Sequence, residues 1–203
     1  MAKREYDKKQ VRELLLQALE TERGGIKIYE NAILSAQNKD LKKEWQEYLE
    51  ETRTHEQVLL RVFGELSIDP EEQSPGRAVV AHQGASLVKA IQMARESARP
   101  EAAELVAGEC VVLAETKDHM NWELIGHVGK NGAGPEAKVL LAAHEAVETD
   151  EDHHLYHTTG WTRELWIQSL GFPAVLPPPE EIKQVETAIG ASRAEQARTE
   201  MLQ

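Results

Sequence analysis

The chain has one cysteine, no long apolar run and a deficit of positive charge. Cys110 has no partner within the chain, so no internal disulfide holds the fold. That points to a reducing, cytoplasmic location, with Cys110 read as a buried thiol rather than a reactive one. No stretch approaches the roughly 18 uncharged residues of a membrane span. The opening "MAKREYDKKQ" lacks the apolar centre of a secretory signal. A soluble protein with no membrane partner is expected. Acidic residues number 35 against 23 basic ones, a formal net charge of −12. Such a field repels phosphate backbones and attracts cations, so no nucleic-acid partner is expected.

What the chain does have is helical patterning from end to end, with no competing strand pattern. Val11, Leu15, Ala18, Glu22, Gly25, Tyr29 and Ile33 fall on one stripe at spacings of three and four. After "QNKD", a second stripe runs through Trp45, Tyr48, Glu51, His55, Leu59 and Val62. These predict a helical hairpin over 9–66, each arm about 40 Å long at 1.5 Å per residue. "SIDPEEQSPGR" is the clearest break, and a shorter crossover helix follows over 77–98. Pro100 and Pro135 each suit a first helical turn, giving a second hairpin over 101–170 around "KNGAGP". Its second arm is expected to run unbroken from Pro135 to about Leu170. The extension 171–203 is proline-rich and then helical around Ile182, Val185 and Ile189. The predicted fold is all-α: one domain over 1–203, a four-helix bundle of two hairpins with a crossover helix and a C-terminal helical tail.

Several of these stripes carry groups that resist burial. Glu22 sits among Ala18, Leu19, Ile26 and Tyr29, while Glu51 and His55 interrupt the second stripe one turn apart. Glu115 precedes Trp122 by seven residues, as Glu22 precedes Tyr29. "EETRTH" (50–55) is echoed by "VETDEDH" (147–153), each with Glu-Thr, at Glu51-Thr52 and Glu148-Thr149. Glu22 and Glu51 are 29 residues apart, and Glu115 and Glu148 are 33 apart. Those separations let each pair meet at mid-height across a hairpin. Four carboxylates with His55 and Glu151 would be prohibitive as a dry cluster, since desolvation costs several kcal/mol per ion. Two divalent cations remove that objection, and carboxylate with imidazole suits iron or manganese, with zinc a further candidate on purified protein; iron is the leading expectation.

On these residues the sequence resembles the ferritin-like superfamily, and within it the bacterial YciE/YciF-like stress-protein family. The resemblance is carried by "LEETRTHEQVLLRVF", Glu22, and Glu115 with Glu148, and covers roughly residues 10–165. It implies Glu22 and Glu115 as ligands from the first and third helices, with Glu51 and Glu148 as bridging acids. His55 and Glu151 join these as candidate ligands from the reading of the residues themselves. The chain departs from Glu-x-x-His, because Thr54 and Glu151 stand three residues after Glu51 and Glu148. A π-bulge would bring His55 into line. A different register, Glu151-x-x-His154 with Asp118 as partner 33 residues earlier, does match but breaks the Glu-Thr repeat.

Tyr29 and Trp122 are expected as core aromatics beside the site. His144 reads either as a support for the site or as a satisfied core histidine. His153 and His157 are expected at the surface, and Trp161 and Trp166 as packing anchors against the tail or a second copy. The leading functional expectation is a dimetal carboxylate protein with oxidative or stress-related chemistry, in which oxygen or peroxide meets the metal pair. An oxidoreductase is one form of this. Iron storage is a second class, and an interaction bundle with a degenerate site a third. A homodimer is expected.

Overall fold

The computed structural model describes residues 3–202, and among them the fold is entirely helical apart from one isolated bridge, Arg4 to Gly132. The first hairpin is α1 (Lys8–Ser35) and α2 (Lys39–Leu66). Asp7 caps α1 by accepting from the backbone N–H groups of Lys9 and Gln10, and Asn38 does the same for α2 from Asp40 and Leu41. The turn between them is pinned from outside. One oxygen of buried Glu104 accepts from the backbone nitrogens of Gln37 and Asn38, each at 2.7 Å.

The crossover helix α3 (Pro75–Ser97) starts at a Ser74 cap with proline in its first turn. It leans on α1 and α4 (Pro100–Asn131), with α1 and α3 approaching closely where Gly24 faces Gly84. The helix expected to run unbroken from Pro135 is instead two, α5 (Pro135–Glu145) and α6 (Glu148–Ser169). At Ala146 and Val147 the backbone hydrogen bonds shorten to span three residues, from Ala146 to Ala143 and from Val147 to His144. No proline or glycine marks the break. Val147 is instead drawn into the core, 1% exposed, while four acids crowd the next five positions. The tail supplies α7 (Pro179–Ile182) and α8 (Ala188–Met201). It is fastened to α6 through fully buried Glu164, which accepts from Arg198 at 2.8 Å and from the Val175 backbone at 2.9 Å.

The apolar core of this bundle comes in two parts. One gathers Tyr29, Trp45, Tyr48, Val111 and Trp161; the other gathers Leu19, Leu59, Phe63, Trp122 and Leu140. Between them lies a polar layer in which α1, α2, α4 and α6 each place ionisable side chains. None of the described helices is long and apolar enough to cross a membrane.

Candidate metal centre

Six side chains meet in that layer: Glu22 from α1, His55 from α2, Glu115 and Asp118 from α4, Glu151 and His154 from α6. All are at most 4% exposed. Their hydrogen bonding is incomplete in a patterned way. Glu22 Oε2, His55 Nδ1, Glu115 Oε2, Asp118 Oδ1, both oxygens of Glu151 and His154 Nδ1 are buried and have no hydrogen-bond partner among the described residues. They are nonetheless close to one another. His55 Nδ1 lies 2.9 Å from Glu151 Oε1 and 3.9 Å from Glu22 Oε1, and His154 Nδ1 lies 3.7 Å from Glu115 Oε2. Donor atoms converge there without donor–acceptor alignment. Native proteins leave few buried polar atoms unsatisfied, so seven in one layer require a cause.

The outer faces of the same groups are well satisfied. Trp122 Nε1 donates to Glu22 Oε1 at 2.8 Å. His55 Nε2 is 3.3 Å from Asp150, and His154 Nε2 is 2.8 Å from Glu51. Each imidazole is therefore oriented by a carboxylate from the other's helix, with Nδ1 left facing inward. Two sets of ligand atoms lie within 4.8 Å of one another: His55, Glu151 and His154, and Glu22, Asp118 and Glu151. Glu151 belongs to both.

The charge state follows from this crowding. Burial pushes the Glu22 carboxyl well above its usual range, reinforced by Asp118 and Glu151. Burial does the same to Asp118, reinforced by Glu151 and Glu115. Burial opposes an imidazolium at His154, but Glu115 and Glu51 outweigh it and push its pKa up to about 10. Burial likewise opposes charge on His55, while Asp150 and Glu151 carry it upward. Protons thus partly compensate the layer. Four unpaired buried carboxylates, at several kcal/mol each, would otherwise rival the roughly 5–15 kcal/mol stability of an ordinary domain.

The expected residues divide accordingly. Glu22, His55, Glu115 and Glu151 meet as expected, and His55 does so in regular α-helix, with no π-bulge. Glu51 is not inward: its side chain is 39% exposed and receives His154 from behind. Glu148 is also displaced, 49% exposed, 3.3 Å from His144 and 3.5 Å from Lys130. The break at Ala146–Val147 precedes it, so the Glu-Thr repeat does not map onto equivalent faces. Asp118 and His154, from the register that breaks the repeat, take the interior positions. His157 is buried rather than at the surface, with Nδ1 3.1 Å from the Tyr48 hydroxyl, and His153 is partly covered. Tyr29 and Trp122 are core aromatics beside the layer, as expected.

One signal in the sequence pointed to the right face. Leu140, Val147, His154 and Trp161 recur every seven residues, which puts His154 on the apolar stripe of its helix. Comparison with family models, with curated proteins and with solved structures finds no match for this chain.

Proposed function

We propose that this chain is a dimetal carboxylate protein with a ferritin-like bundle, holding two divalent cations, iron or manganese, in the layer between its two apolar clusters. The observation that carries this reading is the set of seven buried, converging and unpartnered oxygen and nitrogen atoms on six side chains. Such a mixed carboxylate and imidazole set suits first-row divalent metals. A bound pair would supply redox and Lewis-acid chemistry toward oxygen or peroxide.

The chain's own residues have distinct parts in this reading. His55, His154 and Glu151 would serve one side, with Glu115 3.7 Å from His154, and Glu22, Asp118 and Glu151 the other. Asp118 supplies a carboxylate where α2 has none to offer, because Thr52 stands three residues before His55. Thr52 is buried and donates its hydroxyl proton to the Tyr48 carbonyl at 2.8 Å. Asp150 and Glu51 hold the imidazoles in the tautomer that leaves Nδ1 free, the usual outer partnership of metal-bound histidine. Trp122 fixes one oxygen of Glu22 and leaves the other free. Tyr29, beside Glu115, has its hydroxyl pKa raised well above the ordinary value by burial and by that carboxylate, so it stays protonated.

The test is metal content per chain by plasma mass spectrometry on untagged protein from iron- and manganese-replete medium. About two equivalents, lost in Glu151→Ala, support the reading. No metal in the parent protein removes it.

A further inference from the structure

A cavity of about 250 Å³ opens beside the polar layer, between α4, α6 and the start of α8. Glu151 and Trp122 form part of its wall, so it reaches the core layer itself. Its remaining wall is unusually acidic: Glu123, Glu148 and Asp152 come from the bundle, and Glu186 from the tail. His119 bonds Asp152 at 2.9 Å, and His144 approaches Glu148 at 3.3 Å. Lys130 is the nearby cation, held at the edge between His144 and Glu148.

An acidic wall alone would be an ordinary solvated surface. Two further observations single this one out. Glu151, 2% exposed, has both oxygens unpartnered and lines the cavity. His144, 4% exposed, lines it with Nδ1 unpartnered. Polar groups therefore continue from the exposed rim, past His144, to the carboxylate shared by both groups of core ligand atoms.

We propose that this cavity is the port through which divalent cations pass between solvent and the core layer. Glu123, Glu148, Asp152 and Glu186 draw the ion in, and Glu151 receives it. The tail is then a functional wall of the port, since Glu186, Thr187 and Ala188 form its outer side. This rests on the dimetal reading above and adds a route to it. Clefts lined by one sign of charge raise the arrival rate of the opposite ion by about 10–1,000-fold, an effect that salt removes.

The test is stopped-flow loading of Co(II) into the chelator-stripped full chain, followed by the visible absorbance of the bound ion, at low and high salt. One variant is Glu123→Gln with Glu186→Gln; these side chains are 67% and 56% exposed, so the fold tolerates the change. A second, Ala188→Phe, narrows the mouth without altering charge. The control, Glu65→Gln with Glu96→Gln, removes the same charge at exposed sites elsewhere. The port predicts loading about 10-fold slower in the charge variant at low salt, converging with the parent at high salt. It predicts slower loading at both salts for Ala188→Phe, a control within about 2-fold, and unchanged final occupancy throughout. Two ions taken up at parental rates in both port variants would overturn the port and leave the dimetal site standing. No Co(II) uptake by the parent would overturn both.

Discussion

His55 and His154 stack with ring centroids 5.5 Å apart, and each is held at Nε2 by an acid from the other's helix. The acids occupy equivalent positions, Glu51 four residues before His55 and Asp150 four before His154. This reciprocal pairing ties α2 to α6 across the layer and turns both Nδ1 atoms inward. It also gives the half-exposed acids a role: Glu51 and Asp150 orient the imidazoles, while the inner acids face each other.

Because Glu151 meets ligand atoms of both groups, its replacement should have opposite effects with and without metal. Glu151→Gln keeps the shape but takes one carboxylate out of a crowd of acids. In chelator-treated protein, calorimetry should show a higher melting temperature than the parent, through relief of repulsion. In metal-replete protein the order should reverse, because the parent alone gains stability from bound ions. An unchanged order under both conditions would count against ligation by this residue.

The metal-free protein should lose stability as pH rises. His154 has an ordinary value of 6.5 and a folded value of about 10, so between these limits the native state binds the proton that the unfolded chain releases. Stability is fully present below 6.5 and is lost toward 10. Glu22 and Asp118, also raised, act in the same direction from the ordinary carboxylate range upward. Chemical denaturation across pH 6.5–10 should therefore show a fall on the order of a few kcal/mol. Metal should flatten that slope, since a cation replaces the protons, and calorimetric titration in buffers of different ionisation enthalpy should register proton release on loading.

Most of the helical layout was legible because apolar stripes and proline starts are local signals. The first hairpin spans Lys8–Leu66 against the expected 9–66, α3 starts at Pro75 against 77, and α4 at Pro100 against 101. The break between α5 and α6 was not legible, because "HEAVETDED" contains only residues a helix accepts. The burial of Val147 decides it, and that is a tertiary effect. The site inherited the same error. Glu51-Thr52 and Glu148-Thr149 look like a repeat, yet the interior positions of α6 are set by the heptad through Val147, His154 and Trp161, not by local likeness. Glu22, His55 and Glu115 were found because their helices are regular across the layer.

Helix propensity and packing make opposite predictions at Gly129. Gly129 lies in the last turn of α4, and within a helix alanine is ordinarily better than glycine by up to about 1 kcal/mol. A Cβ there would lie 2.6 Å from the backbone nitrogen and Cα of Leu141, where backbone cannot yield cheaply. Gly129→Ala should therefore destabilise by about 1–3 kcal/mol, read as a shift in the urea midpoint without a large change in slope.

The tail depends on one buried carboxylate. Glu164 is fully buried and contacts both Arg163 and Arg198, while its second oxygen also receives the Val175 N–H. Glu164→Ala leaves two guanidinium groups and a backbone donor without it, a loss of about 3–5 kcal/mol for a buried pair. Limited proteolysis should cut first within residues 171–202, and hydrogen exchange should rise there before it rises in α1 or α2.

Asp118 and Glu51 separate the dimetal reading from a simple count of acids. Both are carboxylates near His154, and the Glu-Thr repeat would favour Glu51. In the structure Asp118 is 4% exposed with an unpartnered oxygen, whereas Glu51 lies behind His154 and is open to solvent. Asp118→Asn removes an inward ligand and should lower metal content toward one equivalent per chain. Glu51→Gln can still accept from His154 and should retain two, with affinity weakened by about 10–100-fold as for an outer partner of a metal-bound histidine. Mass spectrometry at saturating metal, with competition against a chelator of known affinity, measures both quantities. The reverse ranking would return the bridging role to Glu51 and require α2 to rotate when metal binds.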